Sequence, residues 1–274
     1  MSGRVLVNGA PEATVSVFDR GLSYGDGLFE TIRFVRGAAP LWTRHMARLH
    51  AGCGRLRLPL PVPAQLLDEA IAVVAGIDQA VVRITLTRGV GERGYAPPRD
   101  ANTTRIVAGF DAPPMTGEAY ALGMRLRWCE TTLSAQPLLA GMKHLNRLEQ
   151  VLARAEWTDP AIGEGLVCDG EGQVISGTMT NLFAVIDGAL MTPSLDRCGV
   201  AGVARAEVLG HRPDARVAAL RREDLARASE VFLSSSVRGI LPVQAVGDTL
   251  YVPGPVTRAL QHHWRGLGFP MEQA

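Results

Sequence analysis

The sequence predicts an α/β protein of the mixed-sheet, α+β kind, folded as two lobes. Three observations carry that prediction. Strand-like and helix-like stretches alternate along the 274 residues. Hairpin-type turns separate strands, which favours mixed or antiparallel sheets over a doubly wound parallel one. Near the middle, Asp111-Ala-Pro-Pro-Met-Thr-Gly117 breaks the pattern as a linker would. The implied division is an N-terminal α/β domain over 1–114 and a C-terminal domain over 115–274.

Taken in order, Arg4 to Asn8 alternates and meets Asn8-Gly9, a hairpin turn signal. Leu28 to Val35 reads as a strand stopped by Arg36-Gly37. Leu41 to Leu56 has helical spacing, with Leu41, His45, Met46, Leu49 and Cys53 on one face. Pro61-Val62-Pro63 breaks the chain before a second helix over Ala64 to Ala75. Ala80 to Thr87 and Arg105 to Phe110 are strand-like. Beyond the linker, Gly123 to Cys129 predicts a strand. A helix is expected just after Lys143, with Leu145, Leu148, Val151, Leu152 and Ala155 on one side. Glu164 to Cys168, Leu182 to Ile186 and Glu230 to Leu233 read as strands, and Val203 to Leu209 and Arg222 to Ala226 as helices. No internal repeat is visible.

Bulk properties exclude several classes. Hydrophobic residues make up 47% of the chain, enough for a substantial core. Net charge is +1 with acids and bases mixed, so there is no basic stripe for nucleic acid. No apolar run approaches the roughly 20 residues that span a bilayer. The opening stretch lacks the apolar segment of a secretory signal. Cys53, Cys129, Cys168 and Cys198 are widely separated, as expected of buried thiols in a reducing cytoplasm. There is no HExxH, and no metal site is expected.

Lys143 is the only lysine, against 27 arginines. Arginine stays protonated and cannot act as an amine nucleophile, whereas a lysine amine can form a Schiff base and move protons. Codon drift explains one leftover lysine equally well on count alone, so its neighbours must decide. Gly89-Val-Gly91-Glu-Arg-Gly94 satisfies a dinucleotide fingerprint literally, but Tyr95-Ala-Pro97-Pro98 forbids the helix that must follow. A surface loop presenting Arg93 and Tyr95 is expected instead. Taken alone, Gly25-Asp26-Gly27 reads as a tight turn and Arg48 as part of a solvated helix face. Gly199-Val-Ala-Gly202 leads into a helix, and Ser234-Ser235-Ser236 ends a strand. Backbone N–H groups at a helix start and hydroxyls at a strand end are the parts of a phosphate cup. A phosphate cup and a lone amine together suggest pyridoxal 5'-phosphate.

The run Gly141-Met-Lys-His-Leu-Asn-Arg-Leu-Glu-Gln150 resembles the fold-type IV pyridoxal-phosphate enzymes of the class-IV aminotransferase family. Within them it is most similar to the aminodeoxychorismate lyases. The likeness also takes in Phe18-Asp19-Arg20-Gly21, Tyr24-Gly25-Asp26-Gly27, Arg88-Gly89, Arg93-Gly94-Tyr95, Asn181-Leu182-Phe183, Gly199-Val-Ala-Gly202 and Leu241-Pro242-Val243. It implies a two-lobed fold with the cofactor between the lobes and the second domain binding it. Lys143 would hold the cofactor covalently and shuttle protons. Arg48 would clamp the phosphate. Val203 and Ala204 would donate backbone N–H groups to it, and Ser236 its hydroxyl. Arg93 would meet a substrate carboxylate from the partner subunit, implying a homodimer with shared sites. Glu30, Ser235 and Arg238 are further candidates around the substrate.

The chain departs from the family pattern at one position. Where the family places a glutamate against the pyridine nitrogen, five residues before Asn181, this chain has Ser176. A hydroxyl keeps that nitrogen protonated less often and weakens the electron sink. Elimination with a good leaving group tolerates this better than transamination does. The implied reaction is conversion of 4-amino-4-deoxychorismate to 4-aminobenzoate and pyruvate, in folate synthesis. It needs a neutral Lys143 amine, which burial and the N-terminus of the following helix would favour. The rivals are a D-amino-acid or branched-chain aminotransferase of the same fold, and a non-catalytic protein binding a phosphorylated metabolite.

Overall fold

The structure is a computed structural model that describes residues 4–11, 14–114 and 116–271. Met115, in the predicted linker, lies outside them. The chain divides into two compact units. One comprises Met1–Pro113 with Met142–Asn146, and the other Pro114–Gly141 with Arg147–Ala274.

The first unit contains β1 (Val5–Val7), α1 (Arg20–Tyr24), β2 (Gly27–Val35), α2 (Trp42–Leu56), α3 (Pro63–Val73), β3 (Gln79–Thr87) and β4 (Thr104–Asp111). Its strands form an antiparallel sheet in the order β1-β4-β3-β2. Asn8 and Gly9 both have positive φ, as the predicted turn requires, and Val7 and Ala10 exchange backbone hydrogen bonds across it. Side chains alternate between the faces of β2. Leu28, Ile32 and Phe34 join Met46 and Leu49 of α2 and Leu66 and Val73 of α3 in the core. Glu30 shares their parity and is buried with them.

The second unit contains α4 (Gly117–Ala121), β5 (Met124–Leu133), α5 (Leu148–Ala155), β6 (Ile162–Asp169), β7 (Val174–Gly177), β8 (Asn181–Ile186), β9 (Ala189–Pro193) and α6 (Val203–His211). After these come β10 (Arg216–Ala218), α7 (Arg222–Ala226), β11 (Glu230–Ser235), β12 (Gly239–Val246), β13 (Thr249–Leu250) and α8 (Pro255–Gly266). The sheet is mixed, ordered β10-β9-β8-β11-β12-β5-β6-β7 with β13 on β12. Phe183 and Phe232 stack at facing positions of β8 and β11, with centroids 5.1 Å apart.

One predicted element is placed differently. The helix expected just after Lys143 begins only at Leu148. Residues 143–145 are extended against β2: Phe29 N–H donates to the Lys143 carbonyl at 2.9 Å, and Leu145 N–H to the Gly27 carbonyl at 3.0 Å. β2 is the last strand of its sheet, and its outer N–H and C=O groups need partners. Supplying them outweighs helix propensity. The expected apolar face is also not buried, since Leu148, Val151 and Leu152 are 77%, 59% and 61% exposed.

Candidate active site

In the first unit the lysine segment is fixed by tight turns. Gly25 ends α1 with φ of 65°, and a Cβ there would lie 2.3 Å from the Asn146 amide oxygen. Gly27 has no room either, because a Cβ would meet the Leu86 carbonyl at 2.4 Å. Between them Asp26 accepts from Arg20 at 3.0 Å and from Arg88 at 2.8 and 3.1 Å. Burial would raise its carboxyl pKa, but these guanidinium groups lower it. The glycine–aspartate turn is thus tied to Arg20 and Arg88, while backbone hydrogen bonds from Phe29 and Leu145 join β2 to the lysine segment. Lys143 Nζ lies 4.3 Å from the centroid of the Phe29 ring, and Arg83 Cζ lies 4.3 Å from the same centroid.

Glu30 follows Phe29 on the opposite face. Its carboxylate accepts from His45 Nδ1 at 2.6 Å, from Arg48 Nε at 2.8 Å, and from Arg48 Nη2. Burial would raise the Glu30 carboxyl, but the Arg48 charge and the His45 and Arg48 hydrogen bonds hold it down at about 2. Burial lowers His45, further aided by Arg48 and Lys143 and opposed by Glu30. Of the predicted residues, Arg48 and Glu30 thus come together directly. His45, three residues before Arg48, was legible only as a core-facing position. The signal was its place on the apolar face of a helix whose next turn carries an arginine.

Arg93 is exposed on the loop after β3. Residues 89–100 contain no helix, in keeping with the two prolines. The loop backbone is strapped down by Arg20, which donates to the Gly94 and Tyr95 carbonyls at 2.9 and 3.1 Å, and by the Tyr24 hydroxyl, which accepts from Gly94 N–H at 3.1 Å. The Tyr24 and Tyr95 rings pack at 5.5 Å.

The second unit holds the predicted phosphate-cup parts. Asn181 and Ser234 face each other across β8 and β11. Asn181 Nδ2 donates to the Val200 carbonyl at 2.9 Å, and a Cβ on Gly202 would sit 2.0 Å from its Oδ1. Gly202 is the N-cap of α6 and supplies no side-chain cap, while Val203 and Ala204 behind it are buried. Gly141 pairs with the same turn through Gly141 N–H to the Gly199 carbonyl and Ala201 N–H to the Gly141 carbonyl, both at 3.0 Å. The buried Ser234 Oγ has no hydrogen-bond partner. The Ser235 hydroxyl accepts from Val237 and Arg238 N–H at 3.2 and 3.4 Å. The Arg238 carbonyl accepts from Tyr120 at 2.8 Å. Ser236 and the Arg238 side chain are half-buried. A helix start without a side-chain cap and an orphaned buried hydroxyl are chemistry that suits a phosphate monoester, and a lysine amine is chemistry that suits the aldehyde of pyridoxal phosphate. The two parts lie in different units, and each fits by itself.

Ser176 is buried on β7 opposite Val167. The polar stretch after it is organised by a residue outside the predicted set. The buried Glu164 carboxylate accepts from Thr178 N–H at 3.1 Å, from the Thr178 hydroxyl, and from the Thr180 hydroxyl at 3.4 Å. The available signal was an acidic residue inside an apolar strand, which burial makes costly unless it is paired.

The class IV amino-transferase family profile matches residues 27–246. An aminodeoxychorismate lyase from Vibrio harveyi is 36% identical over 263 residues, covering 93% of this chain and 97% of the relative. The crystal structure of a 4-amino-4-deoxychorismate lyase from Pseudomonas aeruginosa is 47% identical with a TM-score of 0.91, covering 96% of this chain and 98% of the other. A branched-chain amino acid aminotransferase from T.th., solved with pyridoxamine 5'-phosphate, is 25% identical with a TM-score of 0.82 and covers 95% and 92% of the two chains.

Proposed function

The chain belongs to the class IV amino-transferase family, and from that premise we propose that it is a lyase converting 4-amino-4-deoxychorismate to 4-aminobenzoate and pyruvate. The observation that carries the reading is the 47% identity, over 96% of the chain, to the lyase from Pseudomonas aeruginosa. The enzyme is pyridoxal-phosphate dependent. When bound, that cofactor supplies an electron sink for the carbon next to the substrate nitrogen.

In this proposal Lys143 Nζ would be the amine that anchors the cofactor. With its amine free, Lys143 would take the proton from the ring carbon bearing the substrate nitrogen. The ether bond to the side chain breaks, pyruvate leaves in its enol form, and the ring becomes aromatic. 4-Aminobenzoate is then the second product. Arg48, Val203, Ala204 and Ser236 would hold the phosphate, and Ser176 would take the place the family gives to the glutamate at the pyridine nitrogen. Arg93, Ser235 and Arg238 are the candidates for the substrate carboxylates. Glu30 has its carboxylate occupied by Arg48 and His45, which assigns it a supporting part.

The reading extends to a homodimer with shared sites, supported by the exposed apolar face of α5. A cytoplasmic location is supported by four buried free thiols. Among the described residues, no helix is long and apolar enough to cross a membrane. The test supplies 4-amino-4-deoxychorismate and follows 4-aminobenzoate. In parallel, amino acids are supplied with 2-oxoglutarate and keto-acid exchange is followed. Exchange without 4-aminobenzoate release would assign the chain to the aminotransferases.

A further inference from the structure

Arg48 is a long side chain whose free rotamers must be lost before it can hold an anion in one geometry. In this structure Glu30 removes that freedom. Arg48 Nε and Nη2 both donate to the Glu30 carboxylate, which fixes the guanidinium plane as well as its position. Glu30 is only 1% exposed, so solvent does not compete for it. The third partner sets the carboxylate in turn. His45 Nδ1 meets Glu30 Oε2 at 2.6 Å, while His45 Nε2 is buried with no hydrogen-bond partner. A proton on Nε2 would be stranded, so the neutral tautomer carries it on Nδ1 and donates it to Glu30. The three side chains come from one strand and one helix packed in the same core, and none has to cross a loop.

The fork also changes the charge presented. Arg48 and Glu30 neutralise each other, and His45 adds nothing. At this fork an anion meets oriented donors rather than an unpaired guanidinium charge, which favours geometry over charge alone.

We infer that Glu30, oriented by His45, is a positioning residue that pre-sets Arg48 for the phosphate of the cofactor. The inference rests on the proposed phosphate role of Arg48. It separates from that role because Glu30 bonds Arg48 and His45 bonds Glu30, so changing either leaves the Arg48 guanidinium present.

The test titrates cofactor-free protein with pyridoxal phosphate and, separately, with pyridoxal, and takes the ratio of the two dissociation constants. Losing one charge-assisted hydrogen bond corresponds to about a ten- to hundredfold change. Glu30→Gln is expected to lower the preference for pyridoxal phosphate by about tenfold or more. Arg48→Ala should lower it at least as far. Glu30→Gln combined with Arg48→Ala should be no worse than Arg48→Ala alone. His45→Asn, which keeps a donor toward Glu30, should retain most of the preference, whereas His45→Leu should lose it. The phosphorus NMR shift of bound pyridoxal phosphate should move in Glu30→Gln and stay near wild type in His45→Asn.

If Arg48→Ala lowers the preference while Glu30→Gln does not, the positioning inference is overturned and the phosphate role of Arg48 stands. If Arg48→Ala leaves the preference unchanged, both fall. If Glu30→Gln fails to fold, the two His45 variants decide: equal loss in Asn and Leu would mean a packing role and overturn the inference.

Discussion

Lys143 and Phe29 are joined twice. The Phe29 N–H donates to the Lys143 carbonyl at 2.9 Å, and Lys143 Nζ lies 4.3 Å from the Phe29 ring centroid. Backbone pairing fixes where the lysine starts, and the ring limits where its amine goes. Lys143→Ala keeps the backbone bond and removes the amine. It should abolish the visible absorbance of the bound cofactor and cut 4-aminobenzoate formation by on the order of 10²–10⁴ or more. Lys143→Arg should do the same, because a guanidinium stays protonated. The checks are absorbance spectra of the purified variants and a product assay.

Ser176 tests the choice between elimination and transamination. Ser176→Glu places a carboxylate where the family pattern has one. Keto-acid exchange with amino acids should rise relative to 4-aminobenzoate release, and the ratio of the two rates in one preparation is the measurement. An unchanged ratio would remove Ser176 from the account of specificity.

Gly202 and Asn181 are packed so closely that a Cβ on Gly202 would sit 2.0 Å from the Asn181 amide oxygen. Gly202→Ala must push that amide away and loosen its bond to the Val200 carbonyl. The start of α6 then shifts, and binding of pyridoxal phosphate to cofactor-free protein should weaken by about tenfold. Equilibrium titration checks it, with pyridoxal as the control that lacks the phosphate.

Acid should unfold the protein partly through the Glu30–His45 pair. Burial keeps His45 below its ordinary value of 6.5, so the unfolded chain takes up that proton first. Glu30 is held at about 2 against an ordinary 4.5, so the unfolded chain again binds the proton first as pH falls. When the unfolded state binds more protons, stability falls as the pH is lowered. The His45 contribution is complete above about 6.5 and is lost on going below it, and the Glu30 contribution is lost between 4.5 and about 2. Denaturant titrations across this range should show Glu30→Gln less acid-sensitive than wild type, though less stable at neutral pH.

Glu230 makes a purely structural prediction. Its buried carboxylate caps α8, accepting from Val256 N–H at 3.1 Å, Thr257 N–H at 2.8 Å and the Thr257 hydroxyl at 2.7 Å. Glu230→Gln replaces one acceptor oxygen by a donor facing donors. The expected cost is about 1–3 kcal/mol, seen as a fall of roughly 5 °C in Tm by calorimetry.

The sequence by itself determined most elements and the candidate chemistry. The strands at 28–35 and 80–87 and the helix at 41–56 were legible because alternation and helical spacing are local patterns. So was the choice of Lys143, since only an amine that can lose its proton suits Schiff-base chemistry. The glycine turn before α6 and the serine run at the end of β11 were legible as candidate phosphate-cup parts, since each is a short stretch of one chemistry.

Tertiary structure decided the rest. Lys143 does not open a helix, because the outer edge of β2 takes the backbone groups of residues 143–145. Lys143 is thus not a first-turn residue of a helix, which removes the ground for the expected help from a helix dipole. Glu30 reaches His45 and Arg48 across 15 and 18 residues, and Glu164 reaches Thr178 and Thr180 across 14 and 16. Nothing in local spacing marks such partners. A buried carboxylate is tolerated only where the fold brings donors to it, and that convergence depends on which strand face meets which helix. The residues were readable one at a time, but their pairings were not.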